Sequence, residues 1–408
     1  MELLLLDIKF KVSKHVEYLV SIGLNDRAEG YSVISCNSEG SVKNTITQTT
    51  LVPVEVINFN PDEKSTIITT DSQLQGNNPK DVADLLDIRF PPVLQQLIQQ
   101  WSLEVFLGSR KQLFNHYDKV LLKFNLPTSV KYYLVSNGDQ CLMVMTGLVG
   151  YDNLIAQLCT VKLANIIDIS LVHIVGSTDY FINTIIDDVN NIGDMPVRDT
   201  NVLIIASCGM EDTVAMIVKN NCIVNETVHY HGEVVSFSCS SNQTTNYFVV
   251  NLVYGDAMLT IVSQLLQRYN FQYIFSAGAG GFLPSDTRIN PPIGTHVKVT
   301  QCANSYGELV KLLDCNHEHM HLHIPTLFFE TYRWLLTTKD IGSTIDIETF
   351  YIIKAIQQSN KKYKVVDCGI FVSDHIGQRP LRSYNHVYDQ YETVLSKFLS
   401  TVCNREVI

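Results

Sequence analysis

The sequence predicts an α/β fold with a mostly parallel or mixed sheet in its second half, joined to an α+β region in its first half. Two observations carry this prediction. From residue 201 onward, short apolar runs alternate with stretches whose apolar residues recur at helical spacing. Before them lies a polar connector, "DDVNNIGDMPVRDTN", whose Asn, Gly and Pro fit no periodic element. The boundary is placed in that connector, giving a region of residues 1–195 and a domain of residues 196–408.

The elements follow in order. "MELLLLDIKF" reads as a buried strand, because it has no basic leader and no small-residue cleavage site. Up to about residue 70 short β-rich runs such as "GYSVISC" alternate with polar turns, and "TTDSQLQGNNPKD" then reads as a linker. In "PPVLQQLIQQWSLEVF" the residues Val93, Leu94, Leu97, Ile98 and Trp101 share one helical face behind prolines suited to a first turn. Residues 131–182 form a second strand-rich unit. In the second half "NVLIIAS", "YFVVNLVYG", "FQYIFSAGAGG", "GTHVKVT" and "KVVDCGIFVSD" read as strands. Asp256 is expected to cap the helix "AMLTIVSQLLQRY", whose stripe is Met258, Ile261, Val262, Leu265 and Leu266. "DIETFYIIKAIQQ", with Ile352, Ile353 and Ile356 inward, and "NHVYDQYETVLSKFLSTV" are the last helices. One echo stands out: "LVGYDNLIAQL" and "LVYGDAMLTIV" each join a strand to a helix through Gly and Asp. A degenerate duplication and the common look of any β-α-β unit both account for it.

Composition narrows the function. The 408 residues carry a net charge of -11, which argues against nucleic acid as a partner, and no basic stripe offsets it. No apolar run approaches the roughly 18 residues of a membrane span. The ten cysteines are scattered without zinc-like spacing, which predicts reduced thiols and a cytoplasmic protein.

Three stretches could carry chemistry. In "YIFSAGAGGFLPSD" the glycines Gly278, Gly280 and Gly281 let something approach the backbone, and the stretch reads as either a tight turn or a binding loop. In "STIDIETF" one of Asp346 and Glu348 is placed to accept hydrogen bonds from a vicinal diol, the alternative being helix capping. Asp374 ends an apolar strand, where partial burial suits a carboxyl for general-acid work.

In this order, "NVLIIASCGMED", "YIFSAGAGGFLPSDTRINPPIGTHVKV", "STIDIETFYIIKA" and "GIFVSDHIG" resemble the purine nucleoside phosphorylase and nucleosidase superfamily, over about half of the chain. The resemblance implies a nucleoside phosphorylase-like fold, a mixed central sheet flanked by helices, acting on a purine nucleoside as a homo-oligomer or larger assembly. It calls for no cofactor and no metal. Glu348 matches the acid that holds the ribose 2′ and 3′ hydroxyls, and Ile347 the residue that packs under the sugar. Asp374 matches the aspartate that protonates or hydrogen-bonds the purine N7. Phe328 or Phe329 falls where an aromatic ring stacks on the base, and the three glycines match the turn near phosphate or water. Glu211, beside Asp212, lies near the glutamate that activates water. Phe275 and Thr213 stand where phosphorylases carry phosphate-binding arginines, and phosphate without cations is poorly held. Hydrolysis of the N-glycosidic bond is therefore expected rather than phosphorolysis. The alternative is a protein that kept this fold and lost the reaction, serving as a structural, assembly or binding subunit of a viral or other large particle.

The run "CNHEHMHLH" alternates His317, His319, His321 and His323, a spacing that fits either a polar strand face or a metal site. Arg379 and Arg382 read as an exposed loop.

Overall fold

A computed structural model describes residues 55–58, 92–125, 130–164, 167–168, 171–177, 179–193, 195, 200–207, 209–221, 228–231, 233–240, 244–285, 288–304, 307–312, 320–326, 338–376 and 387–403. The expected strand at the start of the chain, the linker, Phe328, Phe329, His317, His319, Arg379 and Arg382 lie outside the described residues. The chain is mixed α/β and forms two compact units.

The first unit holds β1 (Glu55–Asn58), α1 (Pro92–Trp101), β2 (Leu103–Leu107), α2 (Arg110–His116), β3 (Lys119–Asn125), β4 (Lys131–Asn137), β5 (Gln140–Thr146), α3 (Gly150–Leu163) and β6 (His173–Gly176). Its six-stranded sheet has the order β1-β3-β4-β5-β2-β6. The expected stripe on α1 is seen in Leu94, Leu97 and Ile98, all buried. Helix α2 starts with a capping box: Ser109 Oγ accepts from the Gln112 N–H, and Gln112 Oε1 accepts from the Ser109 N–H. The first turn of α3, residues 149–152, belongs with the second unit.

The second unit opens with α4 (Asp179–Asn191), followed by β7 (Thr200–Ala206), α5 (Met210–Asn221), β8 (His229–His231), β9 (Val234–Ser240), β10 (Thr244–Asn251), α6 (Ala257–Arg268) and β11 (Tyr273–Phe282). Then come β12 (His296–Lys298), β13 (Gln301–Ala303), β14 (Leu309–Lys311), β15 (His321–His323), β16 (Thr344–Asp346), α7 (Thr349–Gln358), β17 (Val365–His375) and α8 (Val387–Cys403). The connector had been expected to start the domain at residue 196. The compact unit also takes in α4, because Ile185 and Val189 are buried in the same core as the stripe on α6.

The sheet of this unit is covered on both faces, and its strands show why. Along β7, Leu203 and Ile205 face the core built with α4, α6 and α7, while Val202, Ile204 and Ala206 face the core built with α5 and α8. Such strands read as continuous apolar runs, as "NVLIIA" does. Strands β10 and β11 each pair in parallel with β7, and β17 pairs in parallel with β11. Their carboxyl ends therefore lie along one edge of the sheet.

The two sheets share a pattern. In the first, β2 pairs in parallel with β5 and β6, and β4 pairs antiparallel with β5 and β3. In the second, β7 pairs in parallel with β10 and β11, and β9 pairs antiparallel with β10 and β8. Helices α2 and α3 follow β2 and β5 as α5 and α6 follow β7 and β10. The echo in the sequence thus extends over five strands and two helices rather than one β-α-β unit.

Candidate functional site

The site is built at the carboxyl edge of the second sheet, where open α/β folds gather their ligands. The glycine stretch is neither a tight turn nor a loop there. It is the second half of β11, which runs unbroken to Phe282, and none of its glycines has a positive φ. Neighbours explain the small residues. A Cβ on Gly280 would lie 2.6 Å from the Ile345 carbonyl oxygen, and one on Gly281 2.5 Å from Ile376 Cδ1. Gly278 differs, since a Cβ there would meet only Leu252 Cδ2 at 3.5 Å and Asp346 Oδ2 at 3.8 Å.

The pairing of β11 with β17 shifts register between Gly280 and Gly281, which sets Gly281 opposite Asp374. Asp374 is buried, and burial pushes its carboxyl above the usual aspartate range, against the opposing effects of Ser373 and His375. Ser373 Oγ stands 2.6 Å from Asp374 Oδ1 and 3.1 Å from the Gly280 carbonyl. One hydroxyl has one proton to give. When Asp374 carries a proton it donates to Ser373 Oγ, which in turn donates to Gly280, and every group is satisfied.

The second carboxylate pair lies at the start of α7. Asp346 is buried and accepts from His321 Nε2 at 2.9 Å, from the Thr349 N–H at 3.0 Å, and from the Thr349 hydroxyl. Burial alone would raise its carboxyl, but His321 and the Thr349 hydrogen bonds outweigh this and hold it below the ordinary value. Asp346 therefore does the capping, and Glu348, although it occupies the position before the helix, makes no capping bond of its own. Burial and then the negative charge of Asp346 push the Glu348 carboxyl well above the glutamate range, opposed by the backbone N–H groups of Ile347, Glu348 and Gly255. As a residue Glu348 is half-buried, and the Asp346 charge acts in the same direction as burial of its carboxyl.

A third cluster adjoins it within the same unit. Asp256 had been expected to cap α6, but it makes no side-chain bond to that helix. It accepts instead from the N–H groups of Tyr151 and Asp152, both at 3.1 Å, and so caps the first turn of α3. Burial, then the Asp152 charge, raise Asp256 to about 6. Asp152 Oδ2 accepts from the Tyr351 hydroxyl at 2.6 Å. The His323 ring stands edge-on to Tyr351, with centroids 5.0 Å apart.

The remaining expected residues are placed as follows. Ile347 is buried beside Glu348. Phe275 is fully buried against Tyr391 and Phe398, so that position faces the α8 core and not the site. Glu211 and Asp212 are exposed on the first turn of α5, whereas Thr213 is the enclosed side chain of that turn. His321 and His323 do not form a polar face: both are buried on β15, with Asp346 and Tyr351 as neighbours. Among the described residues no group of three or more His, Cys, Asp or Glu is arranged to hold a metal ion. None of them forms a helix long and apolar enough to cross a membrane. The involvement of His321, Tyr351 and Asp152 was missed in the sequence; only the doubled "LVGYD" and "LVYGD" signalled the last. A cleft of about 690 Å³ in the first unit, lined by Ile98–Ser102 and Asp139–Leu142 among others, contains none of these residues.

No family model and no curated protein matches the chain. Solved nucleosidase structures do. A putative methylthioadenosine nucleosidase from Weissella paramesenteroides is similar at 14% identity and a TM-score of 0.40, covering 50% of this chain and 99% of that one. A 5′-methylthioadenosine/S-adenosylhomocysteine nucleosidase from Helicobacter pylori gives 12% and 0.39, with 50% and 98% covered. Native futalosine hydrolase from Helicobacter pylori gives 12% and 0.39, with 50% and 97% covered. Identities this low carry no statement about chemistry.

Proposed function

We propose that the second unit hydrolyses the N-glycosidic bond of a purine nucleoside. The observation that supports this most is Asp374, an enclosed carboxyl that burial holds above the usual aspartate range at the end of β17, opposite the glycines of β11. A purine leaves more readily once N7 is protonated. Asp374 gives that proton, the bond between C1′ and the base nitrogen breaks with its electrons going to the base, and an oxocarbenium-like sugar remains. Water adds at C1′ and loses a proton to solvent or to Glu211 at the start of α5. Glu348 holds the 2′ and 3′ hydroxyls: a carboxyl pushed above its usual range both donates and accepts when protonated, as a vicinal diol requires. Ile347 packs under the sugar. Phe275 in the core brings no cation, so water rather than phosphate is the acceptor.

A second reading is that the unit binds a nucleoside without cleaving it. The enclosed Thr213 favours it, since the carboxylates of that turn are exposed.

The test is to incubate the protein with inosine, adenosine and methylthioadenosine, with and without phosphate, and to follow free base. Release that does not depend on phosphate is expected, with Glu348→Gln and Asp374→Asn each reducing it by orders of magnitude. No release above buffer, together with measurable binding, would select the second reading. Release unaffected by both substitutions would refute the assigned roles.

A further inference from the structure

The sequence pair "LVGYD" and "LVYGD" sets Asp152 and Asp256 at the same place in the two copies of one pattern, each in the first turn or at the start of the helix that follows the equivalent strand. In the second unit these two turns meet face to face. The Asp152 N–H donates to Asp256 Oδ1, 104 positions along the chain. A Cβ on Gly150 would fall on the Asp256 carboxyl, and one on Gly255 would lie 2.7 Å from Asp152 Cβ. Within this unit each turn thus carries a glycine against the other turn's aspartate. Both glycines have positive φ, +81° and +56°, so neither turn accommodates a side chain at that point.

The reciprocity is broken at one atom, and the break falls beside the candidate site. Asp256 spends its carboxylate on the α3 turn, but Asp152 accepts from the Tyr351 hydroxyl, one helical turn beyond Glu348. Gly255, pressed against Asp152, presents its N–H to the Glu348 carboxyl. His323, 6% exposed and edge-on to Tyr351, has an Nδ1 with no partner among the described residues. A buried polar atom left unmet at such a wall is one a bound molecule can satisfy.

We propose that Asp152, contributed by the first copy of the turn, is a positioning residue of the nucleoside site. It fixes Tyr351 and Gly255, and through them sets Glu348 for the ribose diol. The proposal rests on the nucleoside reading above and adds to it a residue that determines sugar specificity. A site built to hydrogen-bond a hydroxyl rejects the analogue lacking it, whereas a merely structural contact does not discriminate.

The experiment compares adenosine with 2′-deoxyadenosine, by kcat/KM where cleavage occurs and by Kd where it does not, on wild type, Tyr351→Phe, Asp152→Asn and the double variant, with Tm measured for each. Wild type is expected to prefer the riboside by about 100-fold or more. Tyr351→Phe, which deletes the hydrogen bond, should lower that preference about tenfold, Asp152→Asn, which removes the charge from its acceptor, by less, and the double variant no further than Tyr351→Phe, because both act on one interaction. A preference that stays unchanged while Tm falls overturns the proposal and leaves the nucleoside reading standing. A wild type that handles both sugars alike also overturns it. A wild type that neither binds nor cleaves either compound also overturns it, and the nucleoside reading falls with it if inosine and methylthioadenosine are neither bound nor cleaved. If Asp152→Asn does not fold, Tyr351→Phe alone decides, since it deletes one oxygen.

Discussion

Replacing Asp346 by alanine removes three hydrogen bonds at the start of α7, from His321 Nε2, the Thr349 N–H and the Thr349 hydroxyl. His321, Asp346 and Thr349 are all buried, so water cannot take the place of the carboxylate. A buried group left without a partner costs about 1–3 kcal/mol, with the upper end where the lost partner is ionised. Asp346→Ala should therefore cost about 3 kcal/mol. For a unit of this size each kcal/mol lowers Tm by about 2–4 °C, so Asp346→Ala should melt about 6–12 °C below wild type. Calorimetry on the full chain at pH 7 measures this. The pH dependence has a definite sign. The folded carboxyl lies below its ordinary value, so its stabilisation is present above about pH 4 and is lost as pH falls further, through the folded-state pKa. The gap between wild type and variant should therefore close only in acid. His321→Ala should cost a similar amount, with the double variant well short of the sum. A gap under about 2 °C at pH 7, or one that persists undiminished at pH 2, refutes the reasoning.

Other outcomes follow from the same geometry. Gly280→Ala drives a Cβ to 2.6 Å from the Ile345 carbonyl, a backbone atom that cannot step aside, and should cost about 1–3 kcal/mol; Gly278→Ala, with nothing nearer than 3.5 Å, should be near neutral by the same denaturation assay. Asp256, raised to about 6, destabilises the fold once ionised, so wild-type stability should fall as pH rises from about 4 to about 6. Asp256→Asn should flatten that slope in a pH series of chemical denaturation. Glu211→Gln should change base release by less than about threefold, because the side chain is exposed, while Asp374→Asn reduces it by about 100-fold or more.

Much of the fold was legible because it follows from periodicity. The stripe Met258, Ile261, Val262, Leu265 and Leu266 is spaced for a helix face, and all five are buried in α6. The apolar run "NVLIIA" carries no alternation, and β7 is covered on both faces. What periodicity does not contain is the identity of a distant partner. Asp256 has the composition and place of a cap, and it is one, but for a helix whose first residues stand 105 and 104 positions earlier. The alternating histidines were read as a strand, and β15 is one, yet its burial comes from β13 and β16 on either side, neither of which is adjacent in sequence. The glycines close a run that reads as a strand, and small residues there leave a tight turn and a binding loop equally open. Their actual cause is the approach of Ile345 and Ile376, from strands and ends more than 60 residues away.

The candidate site follows the same division, and its carboxyls separate by environment. Asp346 has buried donors on both oxygens and is held below the usual carboxylate range, while burial pushes Glu348 and Asp374 above it. A reaction that passes through an oxocarbenium-like sugar depends mainly on departure of the base, and water needs little activation to capture such a cation. A site strong in proton donation and weak in base catalysis is therefore coherent for hydrolysis. In the proposed hydrolysis Asp374 would supply the first, with Ser373 and Gly280 placed to satisfy it in the protonated state. The exposed Glu211 and the enclosed Thr213 account for the second. Phosphorolysis would need the opposite balance, an anion held by cations next to the sugar, and the position where such a cation is expected is filled by Phe275 in the core beneath α8.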